Sequence, residues 1–338
     1  MKVLVLGGTG VISREIVDQL LDRGDEVTVF NRGNSKLKFK GEVGRIVGDR
    51  SDAHSFEAMM KQNNFDVVID MICFNRQDAE STLRAFAGRA GQIIVTSSVA
   101  AYKRPYVSVP TVEAAEKLWD DPQFGYAYHK AQLELCLQQA IREQQLPVTI
   151  LRPSLTYGPG ASNVGILRQN YGILDRIRKG KPLVMFGDGT TPWCWTFAPD
   201  LARAFVAAAG NPKTYGQAYH IASEEVHIWD DLYLEFGRIA GVEPKIVHLP
   251  SELLRLASPN IFSHLYYEKT YSGLFDTAKF KAANPAFSVK ISLAEGLRGL
   301  SAWFEQEAKQ VDPEKDAMED RLVEVYNQCA AAMTRLNQ

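Results

Sequence analysis

The stretch KVLVLGGTGVIS at residues 2–13 decides the fold class. Its first five residues are a short apolar run that predicts a buried strand, and the pattern that begins at Val11 predicts a helix. The glycines between them permit a tight turn and bring the backbone close to a phosphate at the helix N-terminus. Ser13 replaces the third glycine of the usual dinucleotide-binding fingerprint, and its small side chain still allows the helix to pack closely on the strand. The alternative is a glycine turn that binds nothing.

The same alternation of strand and helix continues through the first half of the chain. Buried strands are predicted at 2–6, 26–30, 67–72, 92–96 and 147–151, and amphipathic helices at 11–23, 53–63, 76–89 and 126–145. Strands and helices in regular alternation indicate βαβ units. We therefore expect an α/β fold in which a doubly wound parallel sheet (Rossmann) has helices on both faces.

The rhythm changes after Tyr157-Gly158-Pro159-Gly160, where turn residues become frequent. Helices are predicted at 164–179, 199–209, 229–240, 250–256 and 312–338, and short strands at 183–186 and 218–221 are expected to extend the sheet. We interpret 1–160 as a dinucleotide-binding domain to which 183–225 contributes. Residues 161–338 are then a smaller, mostly helical substrate lobe with a C-terminal helix.

Composition narrows the class of protein. The chain has 338 residues, of which 46% are hydrophobic and 23% charged, so an extended disordered protein is excluded. Its net charge of -2 gives no general electrostatic attraction to nucleic acid or membranes. The four cysteines are far apart and the histidines lack ligand spacing, so we expect reduced thiols and no metal. Since neither a targeting signal nor a long apolar segment is present, we expect a cytoplasmic protein.

The end of the second strand bears on the choice of cofactor. An acidic residue there would bind the adenosine ribose and favour NAD, but this chain has Asn31 followed by Arg32. Arg32 can pair with a 2′-phosphate, so NADP is favoured over NAD; alternatively, Arg32 points to solvent. Asp49 is expected to accept from the adenine amino group, or else to cap the helix near Ser51.

A second candidate motif is Tyr126 and Lys130, which lie four residues apart on one face of a predicted helix. The free phenol has a pKa of about 10. A neighbouring ammonium group and a positive nicotinamide ring would stabilise the phenolate and make it a usable acid/base. Ser97 and Ser98 end the fourth predicted strand, at the carboxyl edge where such folds bind ligands. His129 faces away from the Tyr126–Lys130 face and is interpreted as a surface residue.

Together these motifs resemble the extended short-chain dehydrogenase/reductase family, in its NAD-dependent epimerase/dehydratase branch. The likeness covers residues 1 to about 305, and the segments that carry it, in order, are 7–10, Asp49, 96–98, Tyr126 with Lys130, 151–153, 157–160, 186–189 and 200–202. The resemblance implies that Tyr126 is the acid/base and that Lys130 binds the nicotinamide ribose. It also implies that Ser98 binds the substrate oxygen, and that Pro153 and Ser154 lie beside the nicotinamide.

The complete set of expected site residues follows from these motifs and the resemblance. Catalysis is assigned to Tyr126, Lys130 and Ser98. Cofactor binding is assigned to Gly7, Gly10, Val11, Ile12, Asn31, Arg32, Asp49, Arg50, Met71, Lys130 and Pro153. Substrate binding is assigned to Ser98, Tyr126, Leu155 and Trp193.

Departures from the family pattern narrow the range of expected substrates and reactions. Members that use nucleotide sugars usually carry Asn and Arg where this chain has Leu155 and Trp193, so a nucleotide sugar is disfavoured. The aromatic residues Trp193, Trp195 and Phe197 suggest a wall on which a sugar ring could stack, or alternatively a packed core. Val99-Ala100 replaces the Asp-Glu pair of dehydratase members, which argues against dehydration.

We therefore expect an NAD(P)-dependent oxidoreductase or epimerase that acts on a secondary hydroxyl or ketone of a sugar-like small molecule. One alternative is an RNA-binding protein, because chloroplast stem-loop RNA-binding proteins share the Gly-Gly-Thr start and the Asn-Arg-Gly segment. The intact Tyr–Lys pair and the net charge disfavour a nucleic-acid partner. Another alternative is an NADP sensor without turnover. The predicted helices 76–89 and 126–145 could also form a homodimer contact, as the resemblance implies.

Overall fold

The structure, a computed structural model, describes residues 1–337 and divides them into two units. The first unit comprises residues 1–156, 196–224 and 275–290, and the second comprises 157–195, 225–274 and the chain from residue 291 onward. No helix within residues 1–337 is both long enough and apolar enough to cross a membrane.

A seven-stranded parallel sheet forms the centre of the first unit. Its strands are β1 (Lys2–Leu6), β2 (Glu26–Asn31), β3 (Gly44–Val47), β4 (Phe65–Asp70), β5 (Ala90–Thr96), β6 (Val148–Pro153) and β11 (Gln217–Ile221). Their order across the sheet is β11-β6-β5-β4-β1-β2-β3. The order reverses between β1 and β4, and a doubly wound sheet opens its ligand crevice at the carboxyl ends of strands on either side of such a reversal. The predicted α/β fold class is confirmed.

Helices cover both faces of this sheet. They are α1 (Val11–Asp22), α2 (Ala53–Met60), α3 (Arg76–Phe86), α4 (Gly125–Gln144), α6 (Ala198–Ala208) and α10 (Ala278–Ala283). The helices α1 and α6 pack with one set of strand side chains, and α2, α3 and α4 pack with the opposite set. This alternation explains why the sheet strands read as almost continuous apolar runs.

The second unit is mainly helical. Its helices are α5 (Tyr171–Arg178), α7 (Trp229–Ala240), α8 (Ser251–Ala257), α9 (Pro259–His264), α11 (Leu293–Gln306) and α12 (Pro313–Thr334), and its strands are β8 (Leu183–Phe186), β9 (Pro192–Trp193), β12 (His227–Ile228) and β13 (Ile246–Leu249). The chain passes between the units within β7 (Leu155–Tyr157) and β10 (Trp195–Phe197).

Two expectations about the second half of the chain need correction. The strand predicted at 183–186 pairs with β13 in the second unit and does not extend the large sheet, because its apolar run suits either partner. The strand at 218–221 does extend the sheet, beside β6. The helix predicted at 164–179 is confined to Tyr171–Arg178, since Gly165, Arg168 and Asn170 have positive φ values that a helix cannot include. Of the predicted C-terminal helix, only Gln338 lies outside the described residues.

Candidate active site

The glycine loop after β1 requires its glycines. Gly7 and Gly8 have φ values of +107° and +83°, which other residues rarely adopt. A Cβ atom on Gly8 would lie 2.6 Å from the Val29 side chain, so the loop also packs too closely for a side chain there. The buried Ser13 accepts a hydrogen bond from the Gly10 N–H at 2.9 Å. The residue that replaces the third glycine therefore stabilises the start of α1.

A cavity of about 620 Å³ opens beside this loop at the carboxyl ends of β1, β2 and β4. Among its lining residues are five of the predicted cofactor residues, namely Gly7, Asn31, Arg32, Asp49 and Arg50. The site offers an open glycine backbone, an exposed guanidinium group and a carboxylate, which are the groups that phosphates and an adenine would need. These residues fit the adenosine half of a nicotinamide dinucleotide.

Asn31 and Asp49 are held in defined orientations at the cavity. The Asn31 amide donates to the Gly7 carbonyl at 3.2 Å and accepts from the Gly33 N–H at 2.9 Å. Asp49 accepts from the backbone N–H and hydroxyl of Ser51, and these hydrogen bonds lower the pKa of Asp49. The alternative role of Asp49 as a helix cap is wrong, because Asp52 is the residue that caps α2.

Arg50 points inward more than its predicted cofactor role suggests. It stacks on Phe56, with its Cζ atom 4.3 Å from the ring centroid, and donates to the Asp78 carbonyl and the Thr82 hydroxyl at 2.6 Å each. Asp70 lies 3.3 Å from the same nitrogen. These contacts hold Arg50 as part of the cavity wall, and its contact with cofactor stays a prediction.

The remaining predicted cofactor residues lie on elements around the sheet reversal. Val11 and Ile12 form the first turn of α1, and Pro153 is the last residue of β6. Met71 directly follows β4, and its sulfur accepts from the Thr96 hydroxyl at 3.0 Å. Their positions agree with a ligand that lies across the carboxyl ends of the strands.

Tyr126 and Lys130 occupy contrasting environments on α4. The Tyr126 side chain is 52% exposed, whereas Lys130 is 3% exposed. The Lys130 ammonium donates to the carbonyls of Cys73 at 2.7 Å and Thr96 at 2.8 Å. Burial lowers the pKa of Lys130, although the Asp70 and Glu134 carboxylates act in the opposite direction. Because an ammonium has three N–H groups, one remains for a phenol or a ribose hydroxyl.

Two other residues near this pair are placed by the structure. His129 is exposed on α4, as the surface interpretation predicts. The ring centroid of Phe74 lies 5.3 Å from the Lys130 Nζ atom, and this aromatic residue also lines the cavity. Sequence reasoning did not identify Phe74, which stands in an irregular segment without a motif.

The two serines after β5 have different hydrogen-bond roles. Ser97 is buried, and its hydroxyl donates to the Glu134 carboxylate. Ser98 is only partly buried, and its Oγ atom accepts from the Ala100 N–H at 3.1 Å. A hydroxyl that accepts in this way still has its hydrogen to donate. The geometry therefore favours Ser98 over Ser97 as the substrate-binding hydroxyl.

A buried polar chain behind these serines was missed by sequence reasoning. It contains Glu134, Arg152, Tyr102 and His220, which come from α4, β6, the segment after β5 and β11. Two signals could have indicated it. Glu134 follows Lys130 by one helical turn, and Arg152 is the one charged residue in a buried strand.

The predicted substrate-binding residues Leu155 and Trp193 differ in exposure. Leu155 is half-buried in β7, and Val99 and Ala100 are buried. In the second unit Trp193 is 0% exposed and Trp195 is buried, and both pack on Trp229. This burial supports the packed-core alternative for the two tryptophans, and the substrate contact of Trp193 stays a prediction.

The four cysteines are free thiols, and Cys73 is buried so that its pKa is raised. No group of three His, Cys, Asp or Glu side chains within residues 1–337 is arranged to hold a metal ion.

Two enzymes and a chloroplast protein are among the curated proteins that share sequence with this chain. A 2′-dehydrokanamycin reductase from Streptomyces kanamyceticus is 28% identical over 75% of this chain and 70% of its own length. A UDP-N-acetyl-alpha-D-glucosaminuronate decarboxylase from Bacillus cytotoxicus is 26% identical over 90% of this chain and 98% of its own length. The chloroplast stem-loop binding protein of 41 kDa b from Arabidopsis thaliana is 26% identical over 73% of this chain and 65% of its own length.

Solved structures share the fold. The UDP-glucose 4-epimerase of Thermotoga maritima covers 91% of this chain and 100% of its own, with a TM-score of 0.71 and 20% identity. The sequence model of the NAD dependent epimerase/dehydratase family matches residues 3–222. Because this match spans most of the chain and includes the glycine loop and the Tyr126–Lys130 pair, the protein belongs to the NAD dependent epimerase/dehydratase family and is an NAD(P)-dependent enzyme.

Proposed function

We propose that the protein is an NADP-dependent oxidoreductase that interconverts a secondary hydroxyl and a ketone on a sugar-like small molecule. The observation that carries the proposal is the arrangement on α4, where the exposed Tyr126 is followed after one turn by a buried ammonium group. The Lys130 hydrogen bonds to the Cys73 and Thr96 carbonyls fix that ammonium and leave one N–H for the cofactor or the phenol.

The residues of this chain divide the chemistry as follows. A bound nicotinamide dinucleotide supplies or accepts the hydride. In the reducing direction the Tyr126 hydroxyl donates its proton to the ketone oxygen, and in the oxidising direction the phenolate accepts it back. The Lys130 ammonium stabilises the phenolate by its charge. The Ser98 hydroxyl donates a hydrogen bond to the substrate oxygen, which stabilises the negative charge that develops there.

Preference for NADP rests on the cavity beside the glycine loop. Arg32 lines this cavity and is exposed, while the neutral Asn31 stands where an acidic residue would repel a 2′-phosphate. A guanidinium group suits a phosphate because it presents several donors in one plane.

The proposed substrate class is supported by two residues of this chain and by the name of one relative. Leu155 lacks the polar group that would bind a nucleotide sugar, and Trp193 is fully buried. The relative called 2′-dehydrokanamycin reductase has a sugar-derived substrate in its name and no nucleotide. The decarboxylase relative has a nucleotide sugar in its name, so a nucleotide sugar belongs among the compounds to be tested.

The test is NADPH oxidation with a panel of keto sugars, aminoglycoside ketones and UDP-sugars. We expect turnover with a keto sugar, and a 10²- to 10⁴-fold lower kcat for Tyr126→Phe, because proton transfer contributes about that factor. Tyr128→Phe is the matched control, since Tyr128 lies two residues further along the same helix. Equal rates in wild type and Tyr126→Phe would contradict the proposal.

The same preparation separates the alternatives. Nicotinamide cofactor released in stoichiometric amount on denaturation, with UDP-sugar isomerisation and no net oxidation, would indicate an epimerase. NADPH binding that survives in Tyr126→Phe, without turnover of any compound, would indicate a sensor. Binding of stem-loop RNA without binding of either dinucleotide would indicate the RNA-binding alternative.

A further inference from the structure

The segment that carries Ser98 is a short turn, residues 97–102, which we call the Ser98 turn. It begins at the end of β5, and its middle is a 3₁₀ turn at Val99–Ala101. The Ser98 hydroxyl oxygen accepts from the Ala100 N–H, and the Ser98 carbonyl accepts from the Ala101 N–H at 3.1 Å. Arg104 donates to the Ala100 and Tyr102 carbonyls of this turn. The position of the Ser98 hydroxyl therefore depends on these bonds and on how firmly the two ends of the turn are held.

Both ends are held by one buried ion pair. Arg152 donates to the Glu134 carboxylate through Nε at 2.9 Å and through Nη2, and both side chains are buried. At one end of the turn the Ser97 hydroxyl donates to Glu134. At the other end the Tyr102 hydroxyl oxygen accepts from the Arg152 Nη1 atom at 2.6 Å. The ion pair and the six-residue turn thus form a closed ring.

The protons in this ring have a single consistent order. Arg152 can only donate, so the Tyr102 oxygen accepts from it and the Tyr102 hydroxyl hydrogen must go elsewhere. The Tyr102 hydroxyl oxygen lies 2.6 Å from the His220 Nε2 atom, which accepts that hydrogen. His220 then carries its own hydrogen on Nδ1, which lies 3.0 Å from the Asp276 carbonyl. Each hydrogen bond in the chain from Ser97 and Arg152 to His220 thus has a defined donor and acceptor, and a satisfied buried network of this kind is rigid.

We propose that the Glu134–Arg152 pair fixes the Ser98 turn at both ends, and that Ser97 and Tyr102 are positioning residues for the Ser98 hydroxyl. The proposal rests on the proposed function, in which that hydroxyl donates to the substrate oxygen. The Ser97 hydroxyl hydrogen is already donated to Glu134. The ion pair therefore also determines that Ser98, and not Ser97, can donate to the substrate.

The ring is best interrupted at the hydroxyls of Ser97 and Tyr102, because removing Glu134 or Arg152 would leave a buried charge without its partner. Ser97→Ala opens one end and Tyr102→Phe opens the other. Tyr219→Phe is the control, because it also removes the hydroxyl of a buried tyrosine in the first unit. That hydroxyl is part-buried and donates to the Lys213 carbonyl at 3.1 Å, outside the ring.

Hydrogen exchange of the backbone amides tests, without any substrate, whether the ring holds the Ser98 turn in place. We expect the Ala100, Ala101 and Tyr102 amides to exchange at least tenfold faster in Ser97→Ala and in Tyr102→Phe, and at the wild-type rate in Tyr219→Phe. Unchanged exchange rates in both ring variants would overturn the proposal. This result does not depend on which substrate the enzyme reduces.

Measurements of kcat and KM test whether the ring affects catalysis through the Ser98 hydroxyl. We expect each ring variant to lower kcat about 10- to 100-fold with little change in KM, the range for misplacing a reacting group. In a Ser98→Ala background the same substitutions should have almost no further effect. Equal losses with and without Ser98 would show a merely structural role and overturn the proposal. If wild type reduces no ketone, the proposed function fails, and hydrogen exchange alone decides on the ring.

Discussion

In the first unit a histidine is buried between a phenol and a backbone carbonyl, whereas in the second unit a glutamate is buried beside an arginine. His220 accepts from Tyr102, and burial together with the nearby Arg152 guanidinium lowers its pKa to about 4. Glu319 accepts from the Val184 N–H at 2.9 Å and from Gln169 at 3.1 Å, and burial raises its pKa to about 7. Both groups favour their neutral forms, so the two units should respond to acid in opposite directions.

The arginines of the two clusters also differ in their partners. Arg152 pairs with Glu134, and no other carboxylate of the described residues lies within 4 Å of it. Arg176 pairs with Glu319 at 3.4 Å and also with Asp316 at 2.6 Å and Asp320 at 2.8 Å, all on α12. The first cluster holds a turn beside the candidate catalytic residues, while the second attaches the C-terminal helix. Buried charge therefore serves positioning in one unit and attachment in the other.

The largest expected effect comes from removing Glu134. Glu134→Ala leaves Arg152 buried without a counter-charge, so we expect the free energy of unfolding to fall by about 3–5 kcal/mol. Glu319→Ala should lose less, since Arg176 keeps two aspartates. Urea unfolding with hydrogen exchange in each unit measures both losses. The exposed Glu324→Ala on α12 is the control, and a larger loss for Glu319→Ala would contradict the comparison.

Acid should destabilise the first unit through His220. The unfolded histidine has a pKa of 6.5 and the folded one about 4, so the unfolded state binds more protons between these values. The free energy of unfolding should therefore fall as the pH drops from about 6.5 to about 4, by up to about 3 kcal/mol. Unfolding of wild type and His220→Gln across this range measures the difference. Equal slopes for the two proteins would refute it.

Glu319 should give the second unit the opposite slope. Its pKa is 4.5 when unfolded and about 7 when folded, so the folded state binds more protons between these values. This contribution to stability is present at low pH and is lost as the pH rises from about 4.5 to about 7, again by up to about 3 kcal/mol. Glu319→Gln, which cannot ionise, should flatten the slope in hydrogen exchange of the second unit. A variant that keeps the wild-type slope would show that Glu319 ionises normally.

Local patterns predicted the parts of the site that lie on one element or at a strand end. The glycine loop and the Tyr126–Lys130 pair were found because their spacing alone places them. The Glu134–Arg152–Tyr102–His220 chain was not found, because its members come from four segments that only tertiary packing brings together. The pairing of β8 with β13 escaped for the same reason, since an apolar run does not specify its partner strand.

The smallest expected effect concerns Arg32, whose predicted phosphate contact involves an exposed side chain. Arg32→Ala should raise the Kd for NADP about 10- to 100-fold, because a hydrogen bond to a charged group contributes about 1.5–3 kcal/mol. The Kd for NAD should stay the same, since NAD lacks the 2′-phosphate. Lys38→Ala is the control, because Lys38 is exposed on the same segment but does not line the cavity. Equal weakening of NAD and NADP would mean that Arg32 supports the loop rather than the phosphate. Isothermal titration calorimetry with each dinucleotide distinguishes the two outcomes.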